Sequence, residues 1–273
     1  MPSIGGSGIQ FSNNYGSSWS NLGPAINSIY NVSMSASGQY ITMVQQQGSI
    51  YTSSNFGSSW NQVVSSNLYT SNYYSSVSVS ASGKYQSVAF NYSNYNASIA
   101  VSSDYGVTWT VPGPLWSAFL GISIAVSASG QFQTIVSPGN LCFVSSNYAA
   151  SFTQVSLATG SNSCSVAMSA SGQYQTAVVT SNTNIVFNSS NYGVTWTQNT
   201  NSSGPWWNNI AISASGQYQV AITGQVNGSS NNNIMLSIDY GNTWTNIYSY
   251  STPFFNSPNI AISSSGQIGR AHV

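Results

Sequence analysis

Charge is almost absent from this sequence. Two of its 273 residues are basic and two acidic, where a soluble domain of that length carries roughly 70 charged side chains. Glutamate does not occur, and arginine and histidine occur once each, at Arg270 and His272. A formal net charge of zero leaves no basic surface to neutralise phosphates and no acidic surface to gather cations, so nucleic acid and charge-steered partners are excluded as expectations. No apolar run reaches the 18 or so residues of a membrane span, and no basic start leads into an apolar stretch, so neither membrane insertion nor a signal peptide is expected. Apolar residues nevertheless make up 41% of the chain and aromatic residues 13%, enough to build a core rather than a disordered polar chain.

The last residues break with everything before them. Ile268-Gly269-Arg270-Ala271-His272-Val273 resembles one reading frame of a short-read sequencing adapter, and segment 268–273 is therefore set apart from fold reasoning as a scar. Without it, the charged side chains are Lys84, Asp104 and Asp239.

Two motifs alternate along the remainder. S-x-S-G-[QK]-[YF] begins at Ser35, Ser80, Ser127, Ser169 and Ser213, with a copy from Ser263 that is cut at Gln267; its glycines recur every 42 to 50 residues. S-x-[ND]-[YF]-G-x-[ST]-W begins at Ser12, Ser53, Ser102, Ser189 and Ser237, and a worn copy from Ser145 carries Ala149 for the glycine and Phe152 for the tryptophan. Between the motifs, residues alternate with period two, as strands do. Val77 and Val79, Ile124 and Val126, and Ile210 and Ile212 flank small residues such as Ser78, Ala125 and Ala211, giving one bulky and one small face, suited to stacking sheet on sheet. A further apolar column stands three residues before the second motif: Ile9, Ile50, Ile99, Cys142, Val186 and Ile234.

Four strands per repeat of about 45 residues is the period of a β-propeller blade. The expected fold is all-β, a propeller of four-stranded antiparallel blades, most simply six with seven as the alternative, truncated at its C-terminus. One domain is expected over 1–267: a half blade at 5–22, five full blades over about 29–248, and a partial blade at 258–267. Were one strand missing, the terminal halves would combine and close the ring. The motif S-x-[ND]-x-G-x-[ST]-W resembles the Asp-box, or BNR repeat, of sialidase-like propellers. G-Q-Y-Q, less specifically, resembles repeats of environmental and giant-virus proteins. The Asp-box resemblance places the motif in the turn between the third and fourth strands. There Asn or Asp folds its side chain onto the backbone, Gly takes a strained conformation and Trp plugs the core edge.

The resemblance stops at the scaffold. It would imply an arginine cluster, a tyrosine–glutamate pair and an aspartate acid/base, and the sequence has no glutamate and only the arginine of the suspected scar. Asp104 and Asp239 both occupy the motif's turn position and are read as turn formers rather than paired catalytic carboxylates. No metal-ligand cluster or nucleophile–base arrangement is visible, so no enzyme activity, metal or cofactor is expected. Cys142 reads as a small buried hydrophobe, and a bond to Cys164 is left open. Six sequons, at Asn31, Asn91, Asn96, Asn188, Asn201 and Asn227, are no more than this composition yields by chance.

Recognition is expected in the loops joining blades and in those between second and third strands, which share one face. The former carry Tyr73, Tyr74, Trp116, Phe119, Trp206, Trp207, Phe254 and Phe255, and the latter are rich in Asn, Gln and Gly. Aromatic faces for stacking on sugars, beside amides for their hydroxyls, suggest a non-enzymatic module for a neutral glycan or cell-surface ligand. The alternative is that these rings only cover blade cores, in a structural extracellular or virion-surface scaffold.

Overall fold

The computed structural model describes residues 9–14, 16–22, 29–45, 48–64, 68, 73–91, 96–112, 116–117, 121–139, 141–157, 163–180, 185–199, 207–224, 232–250 and 259–269. Among them there are strands and turns but no helix. The chain divides into two compact units, Met1–Leu115 and Trp116–Val273.

In the first unit, β1 (Ile9–Phe11) and β2 (Ser20–Leu22) form a two-stranded sheet. The first full blade is the antiparallel sheet of β3 (Ile29–Met34), β4 (Ile41–Gln45), β5 (Ile50–Ser53) and β6 (Asn61–Gln62). The second contains β7 (Tyr73–Val79), β8 (Gln86–Asn91) and β9 (Asn96–Ser102), with a bridge between Val101 and Thr110 where the fourth strand is due.

The second unit opens with β10 (Trp116–Ser117). Its third blade is β11 (Ser123–Val126), β12 (Gln133–Ser137), β13 (Leu141–Ser145) and β14 (Thr153–Ser156); its fourth is β15 (Ser163–Met168), β16 (Gln175–Thr180), β17 (Ile185–Ser189) and β18 (Thr197–Asn199). The fifth is β19 (Trp207–Ile212), β20 (Gln219–Thr223), β21 (Asn232–Ser237) and β22 (Thr245–Tyr250). A two-stranded sheet of β23 (Ala261–Ile262) and β24 (Ile268–Gly269) follows. β24 falls on the suspected scar, which is physically unremarkable because ladder pairing uses backbone groups that every sequence other than proline supplies.

Blades stack as the two-faced strands require. Val166 of β15 packs with Ala125 of β11, and Ile210 of β19 packs against Ala167 of β15. In the first unit, Val77 of β7 meets Val44 and Ile50 of the preceding blade. Of the second apolar column, Ile50, Ile99, Cys142 and Val186 are buried, while Ile9 and Ile234 are partly so. In β3 the bulky face stays in solvent, with Val32 48% and Met34 58% exposed.

The S-x-S-G turn is fixed twice, within its blade and to the next. Ser213 N–H donates to the Tyr218 carbonyl at 2.8 Å, and Tyr218 N–H donates to Ser213 Oγ at 3.1 Å. The same pair of bonds recurs at Ser35, Ser80, Ser127 and Ser169. Backbone bonds then tie successive turns: Ala36 to Ala81 in the first unit, and Ala128 to Ala170, Ala170 to Ala214 and Ala214 to Ser264 in the second, all at 2.9–3.1 Å. Gly216 has φ +85°, and a Cβ there would stand 2.6 Å from Tyr174 Cβ of the preceding blade. Glycine is thus required both for its left-handed backbone and for the close approach of that ring.

Beneath the turns runs a buried polar ladder. Gln86, Gln133, Gln175 and Gln219 are all buried. Each donates through Nε2 to the turn-glycine carbonyl of its own blade, at 2.9–3.3 Å. Oε1 of three of them accepts a hydroxyl from the preceding blade: Thr42 on Gln86, Thr134 on Gln175 at 2.6 Å and Thr176 on Gln219 at 2.8 Å. Desolvating an amide is tolerable only when donor and acceptor are both satisfied. The first blade has Ile41 at this position, and it is buried.

Three substitutions have expected stability outcomes. Gly216→Ala adds a clash to left-handed strain and should cost about 2–4 kcal/mol. Gly139→Ala, at φ +88° with nothing within 4 Å of the added carbon, should cost only about 1–2 kcal/mol; urea unfolding would show equal losses if the neighbouring ring were irrelevant. Thr176→Val leaves the Gln219 carbonyl without this donor and should cost about 1–3 kcal/mol by the same measurement.

Candidate functional site: the aromatic surfaces and the blade turns

Of the eight aromatic residues expected to bind, Phe119, Trp206, Phe254 and Phe255 lie outside the described residues. Trp116 lies in β10 by its backbone, with its side chain likewise outside the description. Tyr73 opens β7 and is half-buried.

Tyr74 and Trp207 correct the expectation. Their exposures are 3% and 2%, so neither ring has a face to offer a sugar. Tyr74 packs with Val77 and Phe90, its ring centre 5.7 Å from that of Phe90. Trp207 packs with Ile210 and meets Trp244 edge-on at 5.1 Å. The reason is a β-bulge. The register jumps between Tyr74 and Ser76 and between Trp207 and Asn209. One extra residue reverses the alternation and turns Tyr74 onto the face of Val77 and Trp207 onto that of Ile210. Counting by twos along the sequence could not anticipate this.

Besides Tyr30 of β3 and Tyr248 of β22, the exposed rings of the described residues mark the other motif. Its fourth position holds Phe56, Tyr105, Tyr148, Tyr192 and Tyr240, each 37–50% exposed. Each of these residues has φ between 59° and 65°, and with Ala149 they are the positive-φ non-glycine residues of the described chain. A bulky side chain in that conformation costs roughly 1–2 kcal/mol. The turn enforces it through bonds that repeat from copy to copy. In the fourth blade, Gly193 N–H donates to Ser189 Oγ at 3.0 Å, Thr195 N–H donates to Asn191 Oδ1 at 2.9 Å, and the Trp196 indole donates to the Gly193 carbonyl at 2.9 Å. Asn14, Asn55 and Asn147 accept the equivalent N–H at 2.9–3.0 Å, as do Asp104 and Asp239 at 2.9 Å. Ala149 fills the glycine position of the worn copy at φ 65° and still donates to Ser145 Oγ at 3.0 Å.

Both motif turns occupy the same end of a blade. Tyr192 N–H donates to the Gln173 carbonyl at 3.1 Å, and Phe56, Tyr105, Tyr148 and Tyr240 bond Gln39, Lys84, Gln131 and Gln217 likewise. The rings reach across to the preceding blade's turn. Tyr105 lies over Tyr40 at 4.7 Å, Tyr192 over Phe132 at 4.3 Å and Tyr240 over Tyr174 at 4.4 Å. Lys84 is exposed, its ammonium 5.4 Å from the Tyr85 ring centre.

Titratable chemistry is sparse. Burial pushes the Asp104 carboxyl up, but bonds from Thr108, Ser102 and Val107 outweigh it and hold the group below its ordinary value. Asp239 behaves alike, with Thr243, Ser237 and Asn242 opposing burial. Cys142 is a free thiol whose burial raises its pKa to about 12, which leaves it unreactive in the folded chain. Among the described residues, no three His, Cys, Asp or Glu side chains are grouped to hold a metal, and no helix is long and apolar enough to cross a membrane.

Neither a family model nor a curated protein sequence matches the chain. Solved structures do. A GH74 enzyme from Niastella koreensis superposes with TM-score 0.59 at 19% identity, over 87% of this chain and 34% of its own. The GH74 xyloglucanase from Xanthomonas campestris gives TM-score 0.63 at 13% identity, over 89% of this chain and 42% of its own. A TolB-like protein from Agrobacterium tumefaciens gives 0.57 at 14% identity, over 89% and 91%. This chain thus spans between a third and a half of the two GH74 proteins. With four-stranded antiparallel blades in register and these likenesses together, the fold is that of a β-propeller.

Proposed function

We propose that the chain is a non-catalytic recognition module for neutral glycans, built on an Asp-box propeller scaffold that lacks the catalytic residues of sialidase-like enzymes. The observation that carries this reading is the recurrence of an exposed aromatic ring in blade after blade of a chain with practically no charge. Sugar rings present C–H faces to aromatic rings, and their hydroxyls suit amides and serines better than ions. A structural scaffold of extracellular or virion-surface type is the second reading, favoured by the stacking of those same rings on the preceding blade. The xyloglucanase among the structural neighbours makes xyloglucan the natural first probe.

Affinity electrophoresis of the full chain in gels containing xyloglucan, β-mannan or dextran should show retardation by at least one polymer. A reducing-sugar assay on the same mixtures should show no hydrolysis. Mobility unchanged by every polymer would leave the scaffold reading.

The aspartates are assigned to the turns alone. Because their folded pKa values are depressed, the stability they contribute is present above the unfolded carboxyl pKa and is lost as pH falls through the folded one, below about pH 4. Asp104→Asn/Asp239→Asn reproduces the residue standing in four sister turns. It should keep its melting temperature at pH 7 within about 2 °C, these being exposed sites, and should lose most of the acid-side decline. A large loss at pH 7 would contradict the turn assignment.

A further inference from the structure

The expected recognition surface lay in the loops between blades, yet two of its rings are core residues and the motif tyrosines at the opposite end are exposed. In the second unit, Tyr148, Tyr192 and Tyr240 stand at equivalent places in three successive blades. Ala128, Ala170 and Ala214 hydrogen-bond the turns of these blades edge to edge at 2.9–3.0 Å. The rings therefore form a row with one member per blade.

Their environment suits a ligand. Tyr192 and Tyr240 each give one ring face to the preceding blade, at 4.3 and 4.4 Å, and remain 39% and 37% exposed, so the exposed area lies on the opposite face and edge. Beside them are Gln173 and Gln217, half-buried, and the exposed Ser171 and Ser215. Each position also holds a bulky residue in left-handed backbone where Asn or Gly would sit with less strain. Strain repeated at exposed positions points to a use for the side chain.

We propose that this turn-end row, rather than the inter-blade loops, is the binding surface for a neutral polysaccharide, successive sugars or branches of one polymer stacking on Tyr148, Tyr192 and Tyr240. The proposal rests on the glycan reading above and locates its site. A single ring offers little affinity, and three on one rigid support act together through effective concentration. Long polymers are therefore bound in preference to short fragments.

The test uses the full chain with xyloglucan, β-mannan and dextran, and oligosaccharides of four to six sugars from whichever polymer binds. Tyr148→Asn/Tyr192→Asn/Tyr240→Asn removes the rings while supplying a residue that accepts the left-handed backbone. Tyr192→Phe keeps a ring, as Phe56 does in its own turn. The expected result is polymer affinity at least about tenfold above that of the fragment, lost by about tenfold or more in the triple variant and held within about twofold in Tyr192→Phe. Single Tyr→Asn variants, each checked by circular dichroism, should give graded losses and keep the test decisive if the triple variant folds poorly. Wild-type binding that the folded single and triple variants retain within twofold would overturn the turn-end site and leave the glycan reading standing. No binding by wild type to any polymer would overturn both.

Discussion

The buried glutamines organise the rest of the structure. A side-chain amide carries two donors and an acceptor, and placing it where water cannot reach is tolerable only if the surroundings complete its bonds. Gln175 does this with one group from its own blade, the Gly172 carbonyl, and one from the blade before, the Thr134 hydroxyl. That shared satisfaction fixes how adjacent blades sit. A slip of either strand by one residue would carry the threonine to the other face and leave the amide bare. The turn glycines follow from the same constraint, since the blades must come close enough for the hydroxyl to reach, and then no Cβ fits beneath the preceding aromatic ring. The first blade shows the converse, with Ile41 where its sisters have glutamine.

Hydrogen bonding within turns explains how a chain with so little charge specifies its loops. Serine hydroxyls accept the N–H groups that a helix cap or an ion pair would satisfy elsewhere, and Asn and Asp act interchangeably because the carbonyl or carboxyl oxygen does the accepting. The depressed pKa values of the two aspartates report the turn's N–H and O–H donors.

Function separates from fold along the same line. The superpositions with GH74 proteins concern strands and blades at 13–19% identity, and a scaffold of that kind hosts unrelated chemistries. The turn end of this chain is repeated and aromatic, with Lys84, Asp104 and Asp239 among its turn residues, and its exposed rings sit in a conformation that bulky residues ordinarily avoid.

The sequence by itself determined the blade. Period-two alternation, a turn glycine every 42 to 50 residues and the second motif's Asn/Asp–Gly pair are local features, and each specifies a strand or a turn through its own backbone preferences. It also determined the poverty of titratable chemistry, which is a matter of composition. Which aromatic rings face solvent was decided only by the tertiary structure. By sequence Tyr74 and Trp207 fall in the expected loops between blades, but β7 and β19 extend to include them and bulges turn them inward; a bulge leaves no mark in residue spacing, since it exists only relative to the partner strand. The motif tyrosines, read as part of a structural turn, stay exposed because the ring of the preceding blade covers only one of their faces. That contact joins residues 60 or more apart in the chain, and no local pattern could have placed it.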